Sequence, residues 1–565
     1  MAKKSCNFPT SLDNLTEDRQ PGDIVTSDSY DVIENAINAL EQKVGIDNST
    51  DPNSHDFKIA KLNLGANLIG IPGTAGFGVG IAPEGDLPSG MIPLTGYKDP
   101  TNTNYGNYQY RDGSVMVWIP KFYYKITGNN IDIKGIDTYP TTAQANADGY
   151  ALHRAFIDGG VEKDGFFVDK YMISKNAWGT GYIGSSLKNG LPISTHADHN
   201  PIADLTACAG NYYYEMINAA HARDGINGAI NSNSIFFCCS RFIYAALAML
   251  SLAHAQASSS TTYCAWYNAT YNYPKGCNNN ALKDVDDTSV SYSSDGYSNC
   301  GKTGSGTPFA KTTHNGQECG IADFNGLMYE ISLGLTCIAA DKSITGATQA
   351  NPCVITIAGH GYSTGDIIMI TNVVGMTQLN DKLYQITVID ANTFSLDGID
   401  STGYTDYTSG GTSTKGVFYV AKQATSMKDF TSGNSIATDH WGATGVAAMM
   451  DALSPTTVAS MFKSGNGFTM RYGSGENQVL DEATSGESWV KTGLGAVKSG
   501  SAIDGTGTNQ FGKDRYYQFI RDELCLLSCG GWNHGTGAGV WHLNWNGART
   551  HSGDSVGGRI ATYGV

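Results

Sequence analysis

The sequence predicts an α+β protein with an N-terminal coiled-coil helix and a small all-β module inserted into its main domain. Three observations carry that prediction. Ile33, Ile37, Leu40 and Val44 follow the 4-3-4 spacing of a coiled-coil seam over about two heptads. Strand-forming runs at 113–126 and 165–174 precede helical periodicity at 211–222 and 241–255. Between 341 and 414, short β-branched runs separated by Gly, Asn and Asp turns suit a small barrel or sandwich of about five or six strands.

The first helix, residues 27–47, has Asp28 or Ser29 as a cap and Gly45 as a left-handed stop. At roughly 25 Å long it is marginal alone, and Ile at both kinds of seam position leans towards a trimer. Docking on its own domain competes with chain association, but the polar flanks offer no nearby core. Residues 1–60 thus read as an oligomerisation segment, and 61–112, rich in Gly, Asn, Pro and Tyr, as a connector with irregular β structure. The main domain runs over 113–340 and resumes at 415–565, with Pro120 marking a bend or sheet edge in its first strand. The 341–414 module lies between the two parts, because regular secondary structure is expected on both its flanks.

Composition narrows the function. Lys and Arg number 36 against 52 Asp and Glu, a net charge of −16, which argues against sequence-independent nucleic-acid binding. With 69 Gly, 31 Tyr and only 16% charged residues, the chain reads as a loop-rich surface-contact protein. Its 12 cysteines form no CxxC pair and no zinc-ribbon period, so they read as buried small hydrophobes of a protein made in a reducing cytoplasm. The polar start at Met1–Asn7 is unlike a signal peptide, and the longest apolar run, Phe242 to Ala255, is too short to span a bilayer. No membrane insertion is expected.

Few motifs point to chemistry. Gly296 to Thr303 matches the nucleotide-binding P-loop, yet the polar segment before it and the Gly-Ser-Gly-Thr-Pro after it supply neither the strand nor the helix that phosphate binding needs. His534, His542 and His551 lack metal-ligand spacing, and no GxSxG elbow occurs. No catalytic residue, metal or cofactor is expected. Alternation over 541–546 puts Trp541, Leu543 and Trp545 on a core face and His542, Asn544 and Asn546 on an outward one. With Asn533, His534, Thr550, His551 and Asp554 on flanking loops, these residues form a candidate receptor-binding surface of adaptable hydrogen-bonding groups. An ordinary solvated face is the competing reading.

The ordered series Gly113-Ser-Val-Met-Val-Trp-Ile-Pro120, Phe166 to Tyr171, Ala322 to Glu330, Gly530-Gly-Trp532 and Gly557-Gly-Arg-Ile-Ala561 resembles the formylglycine-generating-enzyme branch of the C-type-lectin fold. The last block is similar to the variable region of proteins diversified by retroelements. Residues 1–60, including the run from Ser49 to Lys58, resemble the virion-attachment ends of bacteriophage tail fibres, and 344–412 resemble a small β-barrel module of phage proteins and ubiquitin-activating enzymes. The enzyme family's catalytic cysteine falls on Ile560, which cannot form a thiolate, so the resemblance implies fold and surface without oxidase chemistry. It implies a homotrimeric tail-fibre or tail-tip protein on the virion, binding a host-surface protein or glycan and touching other tail or baseplate proteins. A glycan-degrading or residual lectin-fold enzyme, and a purely structural baseplate protein, are the rival readings.

Overall fold

The computed structural model describes residues 67–128, 130–268, 280–432, 448–461, 469–471, 492–495 and 513–564. The seam residues Ile33, Ile37, Leu40 and Val44 lie outside them.

Two six-stranded sheets organise the main domain. The first runs Ile92–Pro93, Asn107–Gln109, Val115–Pro120, Gly165–Asp169, Ile560–Thr562 and Phe237–Cys238. Its centre is covered on both faces: Met116 through Ile119 and Phe166 through Val168 have no solvent exposure. That is why these strands read as continuous apolar runs and do not alternate. The 113–126 run divides after Pro120, where Lys121 N donates to Asp164 O at 2.8 Å, and Phe122–Thr127 joins a separate hairpin. The expected connector contributes two strands to this sheet, Ile92–Pro93 at its edge and Asn107–Gln109 next to it.

The second sheet runs Thr469–Arg471, Arg515–Tyr517, Leu543–Ala548, Leu524–Ser528, Tyr329–Ser332 and Val556–Gly557. The chain passes from this sheet into the first between Gly557 and Ile560, and Arg559 sits at the crossing. Its Nε donates to Glu330 Oε2 at 2.7 Å, while its other nitrogens reach the carbonyls of Lys170 and Ala322 at 2.9 and 2.5 Å. Tyr244 Oη donates to the same Glu330 oxygen at 2.6 Å. Gly557 is required by close approach, since a Cβ there would stand 2.5 Å from Ile193 O. One long helix, Arg241–Ala257, is buried from Arg241 to Ala255; Ser240 Oγ caps it by accepting Ile243 N at 3.3 Å.

The inserted module hangs on a stem in which Leu335–Ser343 pairs with Ser409–Ala421, from Leu335↔Val420 to Ser343↔Thr412. Beyond the stem it has its own core, in which Ile355, Ile368, Ile370, Leu379, Phe394 and Leu396 are fully buried.

The α+β expectation, with its lectin-type domain, is overturned: the fold of the described residues is mostly β. Among the described residues, every α-helix except Arg241–Ala257 has seven residues or fewer. The 211–222 periodicity shows why. Tyr213 N and Tyr214 N donate to the carbonyls of His551 and Arg549 at 3.0 and 3.1 Å, so this half of the segment is tied to a distant loop. Only Glu215–His221 is left to coil. No described helix is long and apolar enough to cross a membrane.

Candidate functional site

A cavity of about 320 Å³ opens on the second sheet, lined by Tyr329, Arg515, Tyr517, His534, His542, Asn544 and Asn546. Period-2 geometry sets Arg515 and Tyr517 on one face of their strand, with Tyr516 buried on the other. The neighbouring strand runs parallel, pairing Tyr517 with Asn544. Its alternation buries Leu543 and Trp545 and leaves Asn544 and Asn546 half-exposed beside Arg515 and Tyr517. The tight turn Gly531–Gly537 brings His534 over the same face.

His542 departs from the expected outward row and is buried. The strand begins only at Leu543, and His542 belongs to the turn before it, with its N–H bonded to Gly539 O at 3.1 Å. Its Nδ1 faces Gly537 O at 2.7 Å. A carbonyl only accepts, so Nδ1 carries the hydrogen and Nε2 keeps a lone pair. Burial, reinforced by His534, lowers its pKa to about 3, so the ring is neutral at ordinary pH. Burial and Arg515 lower His534 to about 4. With its Nδ1–H donating to Asn533 Oδ1 at 3.0 Å, His534 Nε2 accepts the Tyr329 hydroxyl at 2.6 Å.

Two buried atoms of lining residues have no hydrogen-bond partner among the described residues: His542 Nε2, an acceptor, and Arg515 Nε, a donor. Both are buried, where an unmade bond costs about 1–3 kcal/mol. The carboxamide oxygens of Asn544 and Asn546 are used internally, by Asn546 N at 2.7 Å and by Arg521 Nε at 3.1 Å. Their amide nitrogens therefore remain as donors to the cavity.

Of the other sequence candidates, Asn533 sits exposed beside His534 and Thr550 is exposed. His551 Nδ1 accepts Ala548 N at 3.2 Å, with its ring against Tyr213. Asp554 Oδ2 accepts the Tyr297 hydroxyl at 3.2 Å. The cavity thus unites His534, His542, Asn544 and Asn546 but not Asn533, Thr550, His551 or Asp554. Sequence reasoning missed Tyr329, Arg515 and Tyr517. The alternation Arg-Tyr-Tyr carried a strand signal, but nothing in it announced a parallel partner. Ile560 is a buried strand residue. The P-loop match is a turn closed by Asp295 N to Cys300 O at 3.0 Å, with no α-helix after it.

The inserted segment is a small all-β module with a core of its own. More particularly, residues 350–416 match the family model of the ubiquitin-activating enzyme E1 FCCH domain. That match concerns this module, a small part of the chain. No curated protein matches the sequence. The resemblance to tail fibres and to the lectin-type enzyme branch is not upheld: what matches is an FCCH domain, and no phage or lectin family is found.

Proposed function

We propose that this chain is an adhesion protein whose C-terminal pocket binds a hydroxyl-rich ligand, a sugar unit of a cell-surface glycan. The carrying observation is the pair of unpartnered buried atoms in two pocket-lining residues, His542 Nε2 and Arg515 Nε. One lacks a donor and the other an acceptor, and a sugar hydroxyl is both. Tyr329 and Tyr517 add aromatic area with polar tips, and the two asparagine amides add donors. Binding and release need no covalent step. Individual polar contacts contribute about 0.5–1.5 kcal/mol net. Firm attachment then rests on several copies acting together, which raises avidity by about 10²–10⁴.

Screening the full chain on a glycan array, followed by calorimetry on the best sugar, tests this reading. Arg515→Ala and His542→Ala should each weaken binding about tenfold or more. Unchanged glycan binding in both variants would overturn it. Binding confined to a protein receptor, or steady release of cleaved sugar, would replace it with a protein-adhesion or an enzymatic function.

A further inference from the structure

We propose that His199, Asp295 and Cys300 form a binding site for a divalent transition metal, zinc by preference. One ligand atom from each, an imidazole nitrogen, a carboxylate oxygen and Sγ, lies within 4.8 Å of the other two. The side chains of His199 and Asp295 have no solvent exposure, and Cys300 is fully buried. The site is separate from the glycan pocket and does not depend on it.

The hydrogen bonds around His199 point to a cation. Its Nδ1 faces Asp554 O at 2.5 Å, and that carbonyl accepts only, so Nδ1 carries a hydrogen. Its Nε2 faces Asp295 Oδ2 at 2.6 Å. In the neutral ring both of these atoms hold lone pairs, and only a shared cation, a proton or a metal ion, makes the contact attractive. The sulfur at the third corner favours the metal: a proton bridges two atoms, whereas zinc takes nitrogen, oxygen and thiolate ligands together. Carboxylate and thiolate also balance a 2+ charge inside the protein, where an unbalanced charge is costly.

The surroundings supply the outer support that metal ligands require. The Asp554 carbonyl orients the imidazole, and the Tyr297 ring stacks on it with centroids 4.2 Å apart. Trp532 meets its edge at 5.7 Å. Asn200 Nδ2 and Tyr297 N hold the two Asp295 oxygens at 3.1 and 2.9 Å. Tetrahedral zinc sets nitrogen and oxygen ligands about 3.3 Å apart, so Asp295 withdraws slightly on loading and water takes the fourth position. A metal here clips the 194–201 loop to the 294–301 turn.

The purified full chain, equilibrated with zinc and dialysed against metal-free buffer, should retain about one ion by elemental analysis. Cobalt titration should give a thiolate-to-cobalt charge-transfer band, and zinc should raise the melting temperature. The near-isosteric Cys300→Ser variant should lose the band and the zinc-dependent rise. Wild-type protein that retains no zinc and shows no cobalt–thiolate band would overturn the proposal and leave an imidazolium–carboxylate pair. A band equally strong in Cys300→Ser would overturn it too, placing the metal on another cysteine.

Discussion

At the scale of the residue, the pocket's binding strength should be almost independent of pH over most of the working range. Burial depresses His542 and His534 to about 3 and 4, so both are neutral at pH 7 and stay so on mild acidification. Sugar affinity should hold flat from pH 8 to about 5 and fall as His534 and then His542 gain protons below that. A calorimetric inflection near the ordinary histidine value of about 6.5 would contradict the burial. Gly537 offers a second handle: a Cβ there meets the Arg515 side chain at 2.7 Å. Gly537→Ala should push Arg515 aside and weaken sugar binding severalfold while the melting temperature stays nearly constant. Away from the pocket, Arg559→Ala strands buried Glu330 and should cost about 3–5 kcal/mol in urea unfolding, because an unpaired buried charge remains. At this scale the outward placement of Asn544 and Asn546 was legible from period-2 spacing. The burial of His542 was not, because it depends on where a turn hands over to a strand.

Among the elements, the central helix gives the clearest test. Ser240 is buried and caps its start, so Ser240→Ala should cost about 1 kcal/mol. Leu250 has no exposed surface, and Leu250→Ala should cost about 2–5 kcal/mol, both read from denaturation midpoints. This helix and the strands Val115–Pro120 and Gly165–Asp169 were readable because long apolar runs leave few alternatives. The helix expected over 211–222 is present but shorter, Glu215–His221, because the tyrosine amides before it bond to a loop over three hundred positions away in sequence, a preference no local period records. The same reason hid Tyr329 and Arg515: each reaches the pocket through sheet order, which crosses the chain several times.

For the whole molecule, the stem geometry predicts that the inserted module is separable. Ala340 and Lys415 are direct cross-strand partners, so replacing 341–414 with Asn-Gly leaves a closable two-residue hairpin. The shortened chain should fold cooperatively by circular dichroism and keep sugar binding within severalfold; loss of folding would show the module to be part of the main core. The module's short strands and turns were visible in its change of texture, whereas the mostly β character of the rest was not. Many of its strands, such as Phe237–Cys238 and Val556–Gly557, are too short to show a period, and long-range pairing alone defines them. That pairing has a kinetic side. The Ile560–Thr562 strand joins the edge strand Phe237–Cys238 to the rest of the first sheet, and its first amide bonds to Asp169, 391 positions earlier. A sheet that awaits so remote a segment assembles slowly, by the link between sequence separation and folding rate. Until that strand arrives, the apolar edges at Phe167 and Phe237 stand open to intermolecular association, which makes refolding yield fall steeply with protein concentration.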